Sequence, residues 1–159
     1  MPRIDISINS QLLVFKDEIK NECLTYSIAT ASKGAGEQSG SECTPRGKHI
    51  VRAKIGAGRP MNAVFIGRRP TGEIYGPELK GLFPDRDWIL TRILWLSGCE
   101  VGFNRLGCVD SMRRYIYIHA TPDSVPMGVP SSHGCIRMRG RDMVELFDQV
   151  PVGTFVYIV

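Results

Sequence analysis

The chain has 159 residues, 43% of them hydrophobic, and it carries a formal net charge of +4. This length supports one packed core, so we expect residues 1–159 to form a single domain. This small net charge does not indicate nucleic-acid binding. No apolar run is long enough for a membrane span, and no export signal is visible.

Strands and turns are predicted for the first third of the chain. Residues 4–8 alternate between isoleucine and polar side chains, and a turn separates them from the apolar residues 12–15, which indicates a hairpin. Alternation returns at residues 24–29, and residues 48–55 form the next predicted strand. Between these two strands, residues 32–41 are rich in Gly and Ser and are predicted to form a loop.

The middle of the chain has a weaker pattern. Gly and Pro recur every few residues between positions 56 and 87, so we expect an extended excursion over the surface, with ordered strand only at residues 62–66. The apolar residues 88–97 fit a buried strand or a short helix about equally. Residues 115–119 are an almost unbroken β-forming run and predict a central strand.

One helix is clearly marked near the carboxyl end. Asp142 can cap its amino terminus, and Glu145, three residues later, can complete a capping box. Pro151 ends the helix. The apolar residues at helical spacing are Met143, Val144, Leu146, Phe147 and Val150. A final strand is predicted for residues 154–159.

The segment Ser132-His133-Gly134-Cys135 is the strongest functional signal. Two of the three histidines lie within sixteen positions of Cys135, and one of them, His119, ends the predicted central strand. A thiol with imidazoles in reach is suited to nucleophilic catalysis, because a base can generate the reactive thiolate. A rigid strand fixes His119 better than a loop fixes His133, so we expect His119 to be the base and His133 a packing or hydrogen-bonding support.

Backbone groups complete the predicted site. Gly134 leaves room for a carbonyl to approach the sulfur, and the N–H groups of Gly134 and Cys135 are the natural donors to an oxyanion. The carbonyl of Ala120 can orient the His119 ring through its other nitrogen. Arginine outnumbers lysine 14 to 6, and several arginines flank the site, which suits carboxylate ligands or solvated surface pairs.

Two questions stay open from the residues alone. His119, His133 and Cys135 could instead bind zinc as three ligands, although their spacing matches no zinc pattern and no acidic general base accompanies them. Five cysteines without a C-x-x-C pair fit either two disulfides plus a free Cys135, or five free thiols. Oligomeric state is not readable from the sequence.

These motifs resemble an L,D-transpeptidase catalytic domain of the YkuD type. The resemblance covers most of the chain and rests on His119, on the run from Ser132 to Arg137, on Thr44-Pro45-Arg46-Gly47, and on the closing helix and strand around Val152-Gly153-Thr154. It implies a mainly β fold, a mixed-sheet, sandwich-like arrangement with one or two short helices. Arg137 stands where the family often has Asn, Ala120 where Gly or Ser is common, and the short link between His119 and Ser132 implies a reduced lid.

The family implies an enzyme of peptidoglycan biosynthesis without metal or other cofactor. Its cysteine attacks the stem peptide after the third residue, releases D-alanine and passes the acyl group to an amine, giving a 3-3 cross-link. By motif position Cys135 would be the nucleophile, His119 the general acid and base, and Ser132 a substrate-binding residue. Arg137 would either bind a substrate carboxylate or form a local structural pair.

The same resemblance leaves the acyl acceptor and the location open. An L,D-carboxypeptidase that uses water, or a non-catalytic wall-binding module, are the alternatives, and the intact Cys135 and His119 argue against the second. Stem peptides are the expected partners. A periplasmic or envelope location is implied, although without a visible export signal the cytoplasm stays open.

Overall fold

A computed structural model describes all 159 residues. The protein has ten strands, two helices and one 3-10 turn. The strands are β1 Arg3–Ser7, β2 Leu12–Asp17, β3 Glu22–Ser27, β4 Gly47–Ile55, β5 Ala63–Ile66, β6 Arg69–Ile74, β7 Ile89–Gly98, β8 Tyr117–Thr121, β9 Ile136–Arg139 and β10 Phe155–Ile158. The helices are α1 Pro77–Leu82 and α2 Gly140–Gln149, and the 3-10 turn spans Gly107–Val109.

All ten strands belong to one mixed, branched sheet. Its main path runs β3-β2-β1-β10-β4-β7-β5-β6, while β8 pairs with β7 and β9 pairs with β8. The pairs β1–β10 and β8–β9 are parallel and all others are antiparallel. The predicted mainly β, mixed-sheet fold with one or two short helices is confirmed.

Helix α2 closes the core on one face of this sheet. Its buried residues Met143, Leu146 and Phe147 share one apolar cluster with strand residues such as Leu94 and Ile118. Burying an aliphatic or aromatic side chain of this size contributes about 1.5–3 kcal/mol. The opposite face of β7, β8 and β9 is therefore the face left for a site.

The start of α2 differs from the prediction. The helix begins at Gly140, with Arg139 in the N-cap position and no side-chain capping bond, so Asp142 lies inside the first turn and is not the cap. Strand β9 runs directly into the helix, which leaves no loop for a capping box. The carboxylate of Glu145 instead accepts a hydrogen bond of 2.6 Å from the Tyr26 hydroxyl. The predicted stop before Pro151 is correct.

The expected surface excursion over residues 56–87 is wrong in part, because it contains the hairpin β5–β6 and helix α1. The two turn residues Gly67 and Arg68 both have positive φ, +57° and +65°, as a two-residue hairpin turn requires. Strand β6 includes Pro70 and Gly72 and has weak strand propensity. It lies at the sheet edge, where pairing with β5 holds it in place.

The remaining strand predictions are close to the structure. The ambiguous segment 88–97 is strand β7, which is buried along most of its length. The predicted central strand begins two residues late, at Tyr117, because Tyr115 has φ +55° and belongs to the preceding turn. Strand β8 lies between β7 and β9, so the histidine that it carries is held on both sides.

Candidate active site

Cys135 lies immediately before β9, with its sulfur held by the backbone of the residues that lead into β8. The thiol donates to the carbonyl of Tyr115 at 3.2 Å, and the N–H of Tyr117 donates to the sulfur at 3.4 Å. The half-buried side chain packs against a small apolar cluster that includes Phe65 and Ile93. Cys135 is thus fixed in one orientation.

The surroundings of Cys135 favour the neutral thiol. Burial raises its pKa to about 12, and the nearby Asp87 carboxylate acts in the same direction. The N–H of Tyr117 and the guanidinium groups of Arg137 and Arg114 oppose this shift without reversing it. A free thiolate is therefore not the resting form, and a reaction at this sulfur would need a base to take the proton.

His119 has the tautomer and the protonation state that such a base needs. It lies within β8, is 1% exposed, and its Nδ1 is 2.7 Å from the carbonyl oxygen of Ala120. A carbonyl only accepts, so Nδ1 carries the proton and Nε2 keeps its lone pair. Burial lowers the pKa of His119, and the Ala120 hydrogen bond only partly offsets this. The ring is therefore neutral and able to accept a proton near neutral pH.

Strand register brings His119 and Cys135 together. His119 pairs with Arg137 across the parallel strands β8 and β9, and Cys135 precedes Arg137 by two positions. Residues two apart on a strand point to the same face, so the imidazole and the thiol are diagonal neighbours on one side of the sheet. The same ion pair, Asp87 and Arg137, acts on the pKa of both groups.

Ser132 stabilises the turn that carries Cys135. It is buried, donates to the carbonyl of Cys135 at 2.6 Å and accepts from the N–H of Gly134 at 3.1 Å. Its hydroxyl is therefore occupied within the protein, although the sequence suggested a contact with substrate. This placement corresponds to a positioning residue.

The Thr44 element supports the same turn from the other side. The Thr44 hydroxyl donates to the carbonyl of Gly134 at 2.9 Å and accepts from the N–H of Ala31 at 3.0 Å. Gly134 has φ +133°, and a Cβ there would lie 3.2 Å from the carbonyl oxygen of Cys43. Only glycine fits this backbone conformation without strain.

The two expected oxyanion donors are not equivalent. The N–H of Gly134 is engaged by Ser132, whereas the N–H of Cys135 donates to no acceptor in the chain. The Cys135 N–H is therefore the donor that is free for a developing oxyanion. The hydrogen bonds that Ser132 forms with the Gly134 N–H and the Cys135 carbonyl hold the backbone on both sides of this donor.

His133 and Arg137 meet at Asp87 rather than at the sulfur. Arg137 donates to Asp87 at 2.9 Å and to the carbonyl of Ser131 at 3.1 Å, while His133 Nδ1 is 3.9 Å from Asp87. The His133 side chain is 63% exposed, so it does not pack as a support. For Arg137, the structure has the local ion pair that was one of its two expected roles.

Sequence reasoning missed the aromatic wall beside Cys135. Arg68, at the tip of the β5–β6 hairpin, lies over the rings of Trp95 and Tyr115 and donates to the Tyr117 hydroxyl at 2.9 Å. Only the Tyr115 and Tyr117 alternation was visible in the sequence. Arg68 and Asp87 gave no signal, because the hairpin tip that carries Arg68 and the segment after α1 that carries Asp87 both belong to the region expected to be irregular.

The structure does not assemble a metal site. No group of three His, Cys, Asp or Glu side chains is arranged to hold an ion, so His119, His133 and Cys135 do not converge as zinc ligands. All five cysteines are unpaired. Neither helix is long and apolar enough to cross a membrane.

The fold and site define a β-rich domain with a histidine on one of two parallel strands and a cysteine just before the other, on the same face of the sheet. Residues 1–158 match the family model described as YkuD, L,D-transpeptidase catalytic domain. The chain therefore belongs to the L,D-transpeptidase catalytic domain family, and the resemblance drawn from its motifs is confirmed.

Two curated relatives match a short stretch of this chain. The probable L,D-transpeptidase YbiS of Escherichia coli is 44% identical over 46 residues, and the probable L,D-transpeptidase ErfK/SrfK of Salmonella typhimurium is 48% identical over 46 residues. Each match covers 29% of this chain and 15% of the relative. The chain thus matches only a small part of the length of these relatives.

Solved structures of L,D-transpeptidases share the fold over 99% of this chain. Those from Xylanimonas cellulosilytica and Mycobacterium smegmatis are 18% and 19% identical, have a TM-score of 0.55, and are covered over 60% and 58% of their length. L,D-transpeptidase 3 from Mycobacterium tuberculosis, in complex with a faropenem-derived adduct, is 14% identical with a TM-score of 0.59 and 60% coverage.

Proposed function

We propose that this domain is a cysteine-dependent L,D-transpeptidase that joins peptidoglycan stem peptides through a thioester acyl-enzyme and forms 3-3 cross-links. One observation carries the proposal. The Ala120 carbonyl holds His119 with its Nδ1 protonated and its Nε2 unprotonated, on the sheet face that also presents the Cys135 sulfur. A neutral base on the same sheet face as a neutral thiol is the starting state for general-base activation of a nucleophile, once the thiol proton turns from the Tyr115 carbonyl toward Nε2.

The first half-reaction transfers the acyl group to the enzyme. As the sulfur of Cys135 attacks the carbonyl carbon after the third stem residue, its proton moves to Nε2 of His119. The oxyanion accepts from the N–H of Cys135. When the C–N bond breaks, His119 returns the proton to the amine of the departing D-alanine, and a thioester and a neutral imidazole remain.

The second half-reaction reverses these steps with a different amine. The side-chain amine of another stem attacks the thioester, His119 takes the proton from that nitrogen, and the sulfur leaves and is reprotonated by His119. Every proton is exchanged between His119 and either the sulfur or a nitrogen. The one base serves both halves because the leaving amine and the attacking amine occupy the same position.

Arg137 and Asp87 have a positioning role in this proposal. They form an ion pair near both reacting groups. Asp87 raises the pKa of His119 and of Cys135 and Arg137 lowers both, so the two charges offset each other. Ser132 and Thr44 hold the turn that presents Cys135 and its N–H. His133 is exposed beside Asp87 and is not required for proton transfer.

The test follows the acyl group by mass spectrometry. Wild-type protein incubated with a tetrapeptide stem should release D-alanine and yield a cross-linked product, and a carbapenem should add a single mass increment on Cys135. Cys135→Ala should abolish all three signals while its circular dichroism spectrum stays unchanged. Undiminished release by that variant would refute the proposal, and release without any dimer would assign a carboxypeptidase.

A further inference from the structure

A cleft opens on the sheet face that carries Cys135, apart from the surroundings of the sulfur itself. It has a volume of about 390 Å³ and is bordered by β4, by the end of β7 and by the loop that precedes β8. Three arginines line it: Arg52 from β4, and Arg105 and Arg113 from the loop. We call this feature the arginine cleft.

The guanidinium groups of the arginine cleft have no partner within the protein. None of the three forms an ion pair or a side-chain hydrogen bond. Asp110 also lines the cleft, but its carboxylate accepts from the backbone N–H groups of Leu106 at 2.7 Å and of Arg113 at 3.0 Å. The cleft therefore presents a net positive charge with donors available for an anion.

Strand geometry places this cleft within a few peptide residues of the sulfur. Ser97, which lines the cleft, lies two positions beyond Trp95 on β7, and Trp95 pairs with Tyr117, whose N–H donates to Cys135. From strand spacing and rise, the cleft lies on the order of 10–15 Å from the sulfur. An extended peptide spans that distance with roughly three to five residues.

The arginine cleft and His119 lie on opposite sides of Cys135. Strands β7 and β8 are antiparallel, so the direction from Trp95 to Ser97 runs away from His119, which follows Tyr117 on β8. In the proposed reaction His119 must reach both the departing amine and the attacking amine. Both amines therefore lie on the His119 side, and the acyl portion of the donor extends toward the arginine cleft.

We infer that the arginine cleft binds the carboxylate groups of the acyl-donor stem, in the residues that precede the scissile bond. This inference rests on the proposed function. Guanidinium forks match carboxylates in shape and charge, and donors of this kind orient a ligand as well as hold it. The cleft thereby sets which end of the stem reaches Cys135 and favours donors whose carboxylates are free.

The test compares a donor that can reach the arginine cleft with an acylating agent that cannot. The variant combines Arg52→Gln, Arg105→Gln and Arg113→Gln, and the control is Arg141→Gln, an exposed arginine of α2 outside the cleft. We measure kcat/KM for D-alanine release from a tetrapeptide stem, and the rate of carbapenem acylation of Cys135. The triple variant should lose roughly tenfold or more in kcat/KM, mainly through KM, with carbapenem acylation and the control unchanged.

A second comparison identifies the chemical group that is recognised. The second substrate is a tetrapeptide stem whose carboxylates before the scissile bond are amidated. Its kcat/KM with the wild type should be as low as that of the unmodified stem with the triple variant. The inference is overturned if the variant keeps wild-type efficiency, if amidation has no effect, or if carbapenem acylation falls in parallel. Failure of the proposed function is distinct, since the wild type would then give no stem product and no adduct on Cys135.

Discussion

His119 is buried and Cys135 is half-buried, and the loss of solvent around each group disfavours its charged form, so both are uncharged in the resting site. Many reactive cysteines are instead stabilised as thiolates by an adjacent cation. In the proposed reaction the proton transfer must therefore accompany attack on the carbonyl. The reactivity of Cys135 is thus tied to the position and tautomer of one imidazole.

The pH dependence of acylation follows from these two shifts. His119 acts as a base only when neutral, and burial lowers its pKa below the ordinary value of 6.5. The rate should stay level through neutral pH and fall only as the pH drops through that lowered pKa. It should not rise between pH 7 and 10, because the pKa of Cys135 is raised to about 12.

Stopped-flow measurement of carbapenem acylation from pH 4 to 10 checks this prediction. A half-maximal rate above pH 6.5, or a steady increase above pH 7, would mean that a thiolate is the attacking species in the resting enzyme. Buffers of matched ionic strength serve as the control, since the nearby Arg137 and Asp87 respond to screening.

The two neighbouring histidines give a matched pair of variants. His119→Ala removes the base and should reduce the rate of D-alanine release by roughly 10²–10⁴-fold. His133→Ala should reduce it by less than about tenfold, because the side chain is exposed and lies beside Asp87. Rates from a coupled D-alanine assay separate the two cases. A larger loss for His133→Ala would reassign the base.

At the scale of elements, the turn before β9 depends on one buried hydroxyl. Ser132→Ala leaves the carbonyl of Cys135 and the N–H of Gly134 without their partner. Leaving such buried groups unsatisfied costs about 1–3 kcal/mol each. We expect lower stability in urea unfolding, together with slower carbapenem acylation, because the Cys135 N–H loses its fixed orientation.

Ser39→Ala is the control for that variant, since Ser39 is exposed and its hydroxyl forms no hydrogen bond. Its stability and acylation rate should match those of the wild type. If Ser132→Ala behaves in the same way as this control, the hydroxyl does not position the turn.

Strands with a regular alternation or a run of β-forming residues could be predicted from the sequence, and strand β6, which has neither, could not. Residues 4–8 alternate and form β1 close to the expected bounds, and the predicted strand at residues 48–55 is β4. Strand β6 contains Pro70 and Gly72, and only its pairing with β5 makes it a strand. Local propensity carries no information on pairing between distant residues.

The candidate site divides in the same way. His119 and Cys135 could be located because their residue types and strand context were visible along the chain. The role of Ser132 could not, since it depends on whether its hydroxyl faces solvent or the Cys135 carbonyl. Arg68 and Asp87 meet the site only through three-dimensional folding of the β5–β6 hairpin and the segment after α1.

For the whole molecule, stability depends on helix α2 covering the sheet. Leu146→Ala removes a fully buried side chain from the main core and should cost about 2–5 kcal/mol in the free energy of unfolding. Leu82→Ala, at a position 67% exposed on α1, should change it by less than about 0.5 kcal/mol. Urea denaturation followed by tryptophan fluorescence measures both. Equal effects would mean that α2 is not an integral part of the core.

The hydrogen bond from the Cys135 thiol to the Tyr115 carbonyl also affects how easily the sulfur is oxidised. Peroxides and small electrophiles react with thiolates, and oxidation of a nucleophilic cysteine to its higher oxyacids is irreversible. A sulfur that stays protonated until a carbonyl carbon is in place is protected from this damage. If Cys135 is the proposed nucleophile, the hydrogen bond to the Tyr115 carbonyl thereby preserves its thiol for the stem peptide.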